Sequence, residues 1–383
     1  VFARERADAP VRWSEVAGCW MALSRASADA VLRARTMGRV WTLRWPEDPL
    51  PMFAMLHENA LLENEPPRHT RLRRLIATAF SRGHVERLDD WVAGLAEQLA
   101  DQLADAGSDG SPVDILALFA EPLPVNVIGE LLGVPAQDRR LLRPWSAAMV
   151  KLYEPAVSPA QRSAAERAST EFAGYLRELV AARRAEPRDD LITSLAQETD
   201  GDGQRLSEDE LIATGVLLLN AGHEATVNTI GNGMHALLGA PAELAAVRAG
   251  LADDAVLGAA VEEMIRFDSP LQLFERTAFA DTVIGEALIR PGERIAALLG
   301  AANRDPAAFD RPDRFDAGRT DNPHLGFGAG IHYCVGAPLA RLELRAALRT
   351  LLRRFPALAP AGDPPRRPEF VLRGFAQLPV VLR

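Results

Sequence analysis

Phe327-Gly328-Ala329-Gly330-Ile331-His332-Tyr333-Cys334-Val335-Gly336 runs into Ala337-Pro338 and then into apolar positions Leu339, Leu342, Ala346 and Leu351 at helical spacing. A lone cysteine is usually a small buried hydrophobe. The surroundings of Cys334 reverse that expectation. Pro338 suits the first turn of a helix, so Cys334 sits just ahead of a helix N-terminus, where unpaired N–H groups and the helix dipole stabilise a thiolate. Glycines at 328, 330 and 336 let the backbone approach a flat group closely and aim amides at the sulfur.

This segment resembles the cysteine-ligand loop of the cytochromes P450, whose pattern Phe-Gly-x-Gly-x-x-x-Cys-x-Gly it matches at every fixed position. The resemblance extends from about residue 60 to the C-terminus, because further motifs follow in the family's order. It implies the cytochrome P450 fold, mainly α with a small β region, and a haem b whose iron takes Cys334 as its metal ligand. Phe327, Gly328 and Gly336 then belong to the cofactor-binding loop.

Working outward, Glu263-Met264-Ile265-Arg266 places an acid and a base three apart on a helix. Alone, such a pair is usually a surface ion pair worth a few tenths of a kcal/mol. Its flanks are apolar and Ser269-Pro270 follows, as in the family's Glu-x-x-Arg helix. Pro312-Asp313-Arg314-Phe315 resembles the segment that supplies a second arginine, so Arg314 is expected as third member of a structural triad with Glu263 and Arg266, and Arg319 is the alternative. In Pro66-Pro67-Arg68-His69-Thr70-Arg71-Leu72-Arg73-Arg74, His69 and Arg73 are four apart and share a helix face. That reads equally as a solvated basic helix or as an anion site. The resemblance implies a haem propionate there, with Arg276 and His332 on propionates from the other side.

The longest helical pattern opens on a Ser207/Glu210 capping box and closes at Gly239 and Pro241. Within it, Asn220, His223, Glu224, Thr226 and Asn228 interrupt an apolar run, and Gly222 costs about 1 kcal/mol relative to alanine. Buried polar groups cost more if unpaired, so the stretch is either a satisfied polar network or a working site. In the family this segment crosses the distal face of the haem: Gly222 would leave room for dioxygen, and an acid followed by an alcohol would relay protons. Glu224 matches the acid, but Ala225 occupies the usual threonine position. Thr226 is rotated by about 100° around the helix from it, so the usual proton route lacks its hydroxyl at that position.

The remaining sequence sets bounds. The chain has 383 residues, 48% hydrophobic and 25% charged, in the range of water-soluble globular proteins. A formal net charge of −9 argues against a general nucleic-acid binder. Lysine occurs only at Lys151, so nearly all positive charge is arginine. Cys19 and Cys334 form neither a disulfide framework nor a metal pair, which fits a cytoplasmic setting. No stretch has the length of a signal or a membrane span. A start at Val1 without methionine fits a truncated N-terminus.

Helical patterns cover 26–35, 66–79, 85–104, 118–132, 137–152 and 160–184, with an irregular Trp/Pro-rich loop from Met37 to about Pro51. Strand-like pieces lie at 19–23, 276–279, 283–284, 294–298 and 370–382, with turns at Gly285 and Pro291-Gly292. No composition break separates domains, so one domain over 1–383 is expected.

The resemblance implies a monooxygenase of secondary metabolism that uses O₂ to oxidise an apolar or amphipathic small molecule. With no GxGxxG after a strand, electrons should come from a separate ferredoxin and ferredoxin reductase. Arg71, Arg74, Arg341 and Arg345 read equally as a docking patch for an acidic donor or as scattered solvated arginines. Two alternatives stand: the same haem fold performing oxidative coupling or other radical chemistry, which Ala225 favours, and a non-enzymatic binding module. The resemblance implies a pocket lined by 37–62, 149–153, 218–222, 271–274 and 375–376, mostly apolar.

Overall fold

The structure, a computed structural model, describes residues 2–42, 45, 47–77, 87–199 and 203–382. Parts of the expected helices 66–79 and 85–104 lie outside the described residues. Contacts divide the chain into one unit of Val1–Gly38, Asp89–Leu123 and Ala225–Arg383 and another of Arg39–Leu88 and Pro124–Glu224.

The second unit is helical. Its longest complete helix, Pro159–Ala185, starts at a reciprocal box in which the Ser158 amide donates to Gln161 Oε1 (2.8 Å) and the Gln161 amide donates to Ser158 Oγ (3.3 Å). The expected Ser207/Glu210 box also forms, with bonds of 3.0 and 3.1 Å, and starts the helix Glu208–Leu238. Glu210 further accepts from Arg68 and Arg71. Burial opposes its ionisation, but the Arg71 bond, the Ser207 amide and Arg68 outweigh it and hold the carboxyl below its usual range.

Next to the region expected as irregular loop, Pro51–Glu58 is a helix. It has no local side-chain cap, and its cap residue Leu50 is left-handed at φ 45°. Glu166 supplies the cap from a distance, accepting from the Met52 and Phe53 amides at 2.8 and 3.0 Å. A cap brought in across more than a hundred residues leaves no local mark in the sequence.

In the first unit, five strands lie in the order Val11–Ser14, Cys19–Ala22, Arg294–Leu298, Leu273–Ala278, Met37–Gly38. Cys19–Ala22 runs parallel to Arg294–Leu298, with Trp20 opposite Ile295, and Leu273–Ala278 pairs antiparallel on the other side. The expected turns are present, with Gly285 at φ 59° and Gly292 at φ 84°. The tail is less regular than its pattern suggests. Only Pro379–Val381 is a strand, paired with Val113–Asp114 and Ala359–Pro360. Upstream, pairing stops at isolated antiparallel bridges, Leu271 opposite Leu372 and Arg366 opposite Phe375, and Asn232 Nδ2 donates to Arg373 O at 3.0 Å.

Glu263 and Arg266 are both fully buried and doubly bonded, at 2.7 and 2.8 Å. The third member is Arg319, not Arg314. Arg319 donates to Glu263 Oε2 at 3.1 Å and is 7% exposed, and the Asp316 amide adds a bond of 2.8 Å. Arg314 serves through its backbone: its carbonyl, with those of Asn303 and Pro312, accepts from Arg266. A turn that points these carbonyls at the buried guanidinium sends the Arg314 side chain outward, where it meets Glu243 at 3.0 Å and is 55% exposed.

Removing one partner of a buried ion pair costs about 3–5 kcal/mol, whereas an exposed pair contributes about 0–1 kcal/mol. Arg319→Ala should therefore destabilise the protein by about 3–5 kcal/mol and Arg314→Ala by about 1 kcal/mol or less, read from urea unfolding of both variants. Equal losses would contradict the assignment of Arg319.

Candidate active site

The cysteine loop belongs to the first unit. Gly328 and Gly330 both sit at φ 70°, and a side chain at Gly330 would collide with the Leu32 carbonyl oxygen. Only glycine meets both conditions. The loop closes on itself: the Gly328 amide donates to Leu325 O (2.8 Å), the Tyr333 amide to Gly330 O (3.1 Å) and the Cys334 amide to Phe327 O (3.0 Å). His332 ends a short 3₁₀ turn, Gly330–His332. Cys334 is half-buried, two residues before Gly336 caps the helix Ala337–Arg354, with Pro338 in its first turn. This is the thiol-before-helix arrangement expected from the sequence, and it favours a thiolate.

A second set of contacts, unexpected from the sequence, ties this loop down. Arg341 grips Glu262 through two bonds of 2.6 and 2.8 Å, its guanidinium lies 4.5 Å from the Phe327 ring centroid, and it donates to Tyr333 Oη at 3.4 Å. His324 Nε2 meets Glu262 at 2.9 Å while its Nδ1 accepts from the Gly326 amide at 3.1 Å. Burial opposes the ionisation of Glu262, but Arg341 and His324 outweigh it and hold the carboxyl at about 2. The only sequence signal for Glu262 is its place beside Glu263. Arg341 is thus matched internally, as Arg71 is by Glu210, so two of the four arginines of the expected basic patch are not bare cations. Arg74 is exposed, and Arg345 lines a groove of about 310 Å³ with Glu97, Asp254 and Arg349.

Arg276, on the strand Leu273–Ala278, is 3% exposed, with its guanidinium 5.9 Å from the Phe274 ring centroid. In the second unit His69 is 2% exposed and Arg73 half-buried, one turn apart on the helix Arg68–Ala77.

On the long helix Glu224, Thr226 and His223 are buried. Gly222 has a neighbour that the resemblance did not suggest: a side chain there would lie 2.7 Å from Ile128 Cδ1. Gly222 is half-buried, and Ala221 beside it is exposed. Ala225, one turn on, shares that face and is half-buried. The Thr229 hydroxyl, a further turn on and not expected from the sequence, donates to the Ala225 carbonyl at 2.7 Å.

A haem fits this donor set. Among the described residues no group of three or more His, Cys, Asp or Glu side chains could cage an ion. A lone half-buried thiol ahead of a helix N-terminus suits an iron whose remaining ligands a haem would supply.

The family model described as Cytochrome P450 matches residues 47–380. The chain belongs to the cytochrome P450 family. Over 386 residues it is 40% identical to the cytochrome P450 monooxygenase PikC of Streptomyces venezuelae, covering 99% of this chain and 89% of that one. It is also 40% identical, over 343 residues, to the 6-deoxyerythronolide B hydroxylase of Saccharopolyspora erythraea, covering 89% and 81%. Among solved structures, P450BioI in complex with an acyl carrier protein ligated to hexadec-9Z-enoic acid superposes with a TM-score of 0.93 at 33% identity, covering 100% of this chain and 97% of that one. The P450 fold expected from the sequence is present, and the chain is a cytochrome P450 monooxygenase, an oxidoreductase. The binding-module alternative falls away. The family implies a haem-thiolate iron cofactor. Among the described residues no helix is long and apolar enough to cross a membrane.

Glu262 contributes stability above its ordinary value of 4.5 and loses that contribution as pH falls toward about 2. Glu262→Gln should cost about 1.5–3 kcal/mol at neutral pH, the worth of a charge-assisted bond, and flatten the acid limb of a thermal-unfolding profile. An acid limb identical to that of the wild type would show that Glu262 carries none of it.

Proposed function

We propose that Cys334 is the thiolate ligand of a haem b, with Phe327, Gly328 and Gly336 shaping the loop around it. The observation that carries this reading is the half-buried Cys334 thiol, set ahead of a helix N-terminus on a backbone that only glycine permits. His69, Arg73, Arg276 and His332 would hold the propionates, since the described cations among them are buried or half-buried and suited to an anion. When bound, the haem supplies the activation of O₂, and the thiolate pushes electron density toward O–O cleavage.

The protein's own residues supply shape and protons to the reaction. Ala221 and Ala225 keep one face of the long helix free of bulk. The carboxyl of Glu224 is the acid of the proposed relay. Ala225 can neither donate nor accept one by its side chain, and the Thr229 hydroxyl hydrogen is engaged by the Ala225 carbonyl. A proton leaving Glu224 then travels by ordered water, through Thr226, or through a hydroxyl of the substrate. Gly222 seats the helix against Ile128.

The proposal extends to an apolar or amphipathic small molecule as substrate, a role in secondary metabolism, a ferredoxin with its reductase as electron source, a cytoplasmic setting, and one functional domain over the chain. The named relatives support the first two, since they include a polyketide biosynthesis P450 and a mycinamicin IV hydroxylase/epoxidase, and the family match spans both units without a break. Oxidative coupling is the second reading, favoured by Ala225, and product analysis separates the two.

The ferrous–carbonyl complex should absorb at about 450 nm, the band that gives the family its name, and Cys334→Ala should abolish it. Retention of the band in that variant would overturn the ligand assignment. His69→Ala and Arg73→Ala should leave the band in place but speed haem loss to apomyoglobin, each removing a bond worth about 1.5–3 kcal/mol.

True substrates should carry a polar group near the oxidised position. An analogue lacking it should divert NADH to peroxide in the wild type, and Ala225→Thr should restore its coupling severalfold. Equal coupling of substrate and deoxy analogue in the wild type would exclude substrate assistance and leave Glu224 with water, or Thr226, as the route.

A further inference from the structure

Within the second unit four residues form a hydrogen-bonded line whose polarity can be followed from end to end. His57 Nδ1 lies 2.8 Å from the Phe53 carbonyl, and a carbonyl only accepts, so Nδ1 carries the proton. Burial lowers the pKa of His57, which leaves the ring neutral and Nε2 an acceptor. Trp41 stacks on the ring at 4.7 Å and Phe53 packs at 4.0 Å, so it is held in this orientation. The Tyr153 hydroxyl, 3.4 Å from Nε2, therefore donates to it. The phenol oxygen is left to accept, and the Asn220 side chain bonds to it in the sense that favours the phenolate, which makes the amide nitrogen the donor. Burial, the larger effect, still pushes Tyr153 up to about 12, so the hydroxyl keeps its proton.

The line ends on one unmatched atom. Asn220 is 5% exposed, and among the described residues its Oδ1 has no hydrogen-bond partner, although a buried acceptor is costly to leave unmade. The amide cannot turn over to hide this oxygen without facing it toward the Tyr153 lone pairs. Asn220 also directly precedes Ala221, the exposed position of the helix.

We propose that Asn220 Oδ1 receives a hydrogen bond from a hydroxyl or amine N–H of the substrate, which makes Asn220 a specificity-determining residue for ligands that carry a hydrogen-bond donor. This rests on the haem-thiolate reading above and names a substrate class for it. An ether or ketone oxygen at the same place would set lone pair against lone pair.

The probes are 1-phenylimidazole, its three ring-hydroxylated isomers and their methyl ethers, which anchor on the iron and report binding through the Soret shift of the holoenzyme. At least one phenol should bind about ten-fold more tightly than its own ether, the worth of one net hydrogen bond. Asn220→Leu should bring that ratio close to one while leaving 1-phenylimidazole unaffected, and Asn220→Asp, which keeps the acceptor, should preserve it. Tyr153→Phe frees the amide to turn its N–H₂ outward, so the ether should gain and the ratio narrow. Ratios unchanged in Asn220→Leu, or no phenol favoured over its ether in the wild type, would overturn the proposal. A crystal structure of the holoenzyme in which a protein donor meets Oδ1 would do the same, whether or not the variants fold. Failure of 1-phenylimidazole itself to shift the Soret band would instead overturn the haem reading, and this proposal with it.

Discussion

Glu263 has no contact with solvent, and a carboxylate so placed costs several kcal/mol unless its charge and lone pairs are met. Arg266, Arg319 and the Asp316 amide meet them. The arginine in turn needs acceptors, and the chain supplies the carbonyls of Asn303, Pro312 and Arg314. One helix pair thus dictates the course of residues 303–319, which have little regular structure of their own. Asn303 carries the constraint onward, since its side chain accepts from the Leu325 amide at the threshold of the cysteine loop.

The neighbouring carboxylate does for the loop what Glu263 does for the preceding segment. Glu262 joins Arg341, His324 and, through the histidine ring, the Gly326 backbone. Two adjacent residues on one helix therefore serve two different loops, the side chains diverging by the 100° turn between successive helical positions. A cysteine half-open to its surroundings is placed by this rigid frame as well as by its own few backbone bonds.

Features written in local chemistry were legible in the sequence: the glycine-bounded cysteine, the proline in the first turn after it, the Ser207/Glu210 box and the turns at Gly285 and Gly292. Features decided by distant partners were not. The helix Pro51–Glu58 is capped by Glu166. Arg319 and Arg314 both follow the Pro312 turn, and only the direction of three carbonyls decides which side chain turns inward. Gly222 has the Ile128 side chain beside it, and nothing near residue 222 announces residue 128. Thr229 carries no such mark, because a residue pattern does not show that its hydroxyl bonds the Ala225 carbonyl one turn back. The tail from 370 to 378 has strand composition, but its pairing stops at single bridges to Leu271 and Arg366, and Asn232 takes up the Arg373 carbonyl.

The internal pairing of Arg341 with Glu262 bears on kinetics. Long-range attraction depends on uncompensated charge, and a compensated pair presents an incoming acidic protein with little more than a dipole, whose field dies away faster with distance than that of a bare cation. Encounter at this part of the surface is then governed by diffusion and surface fit more than by guidance from afar. Its rate should vary little as counterions thicken around the molecule. Rigidity of the loop and electrostatic reach draw on the same guanidinium, and here rigidity has been given precedence.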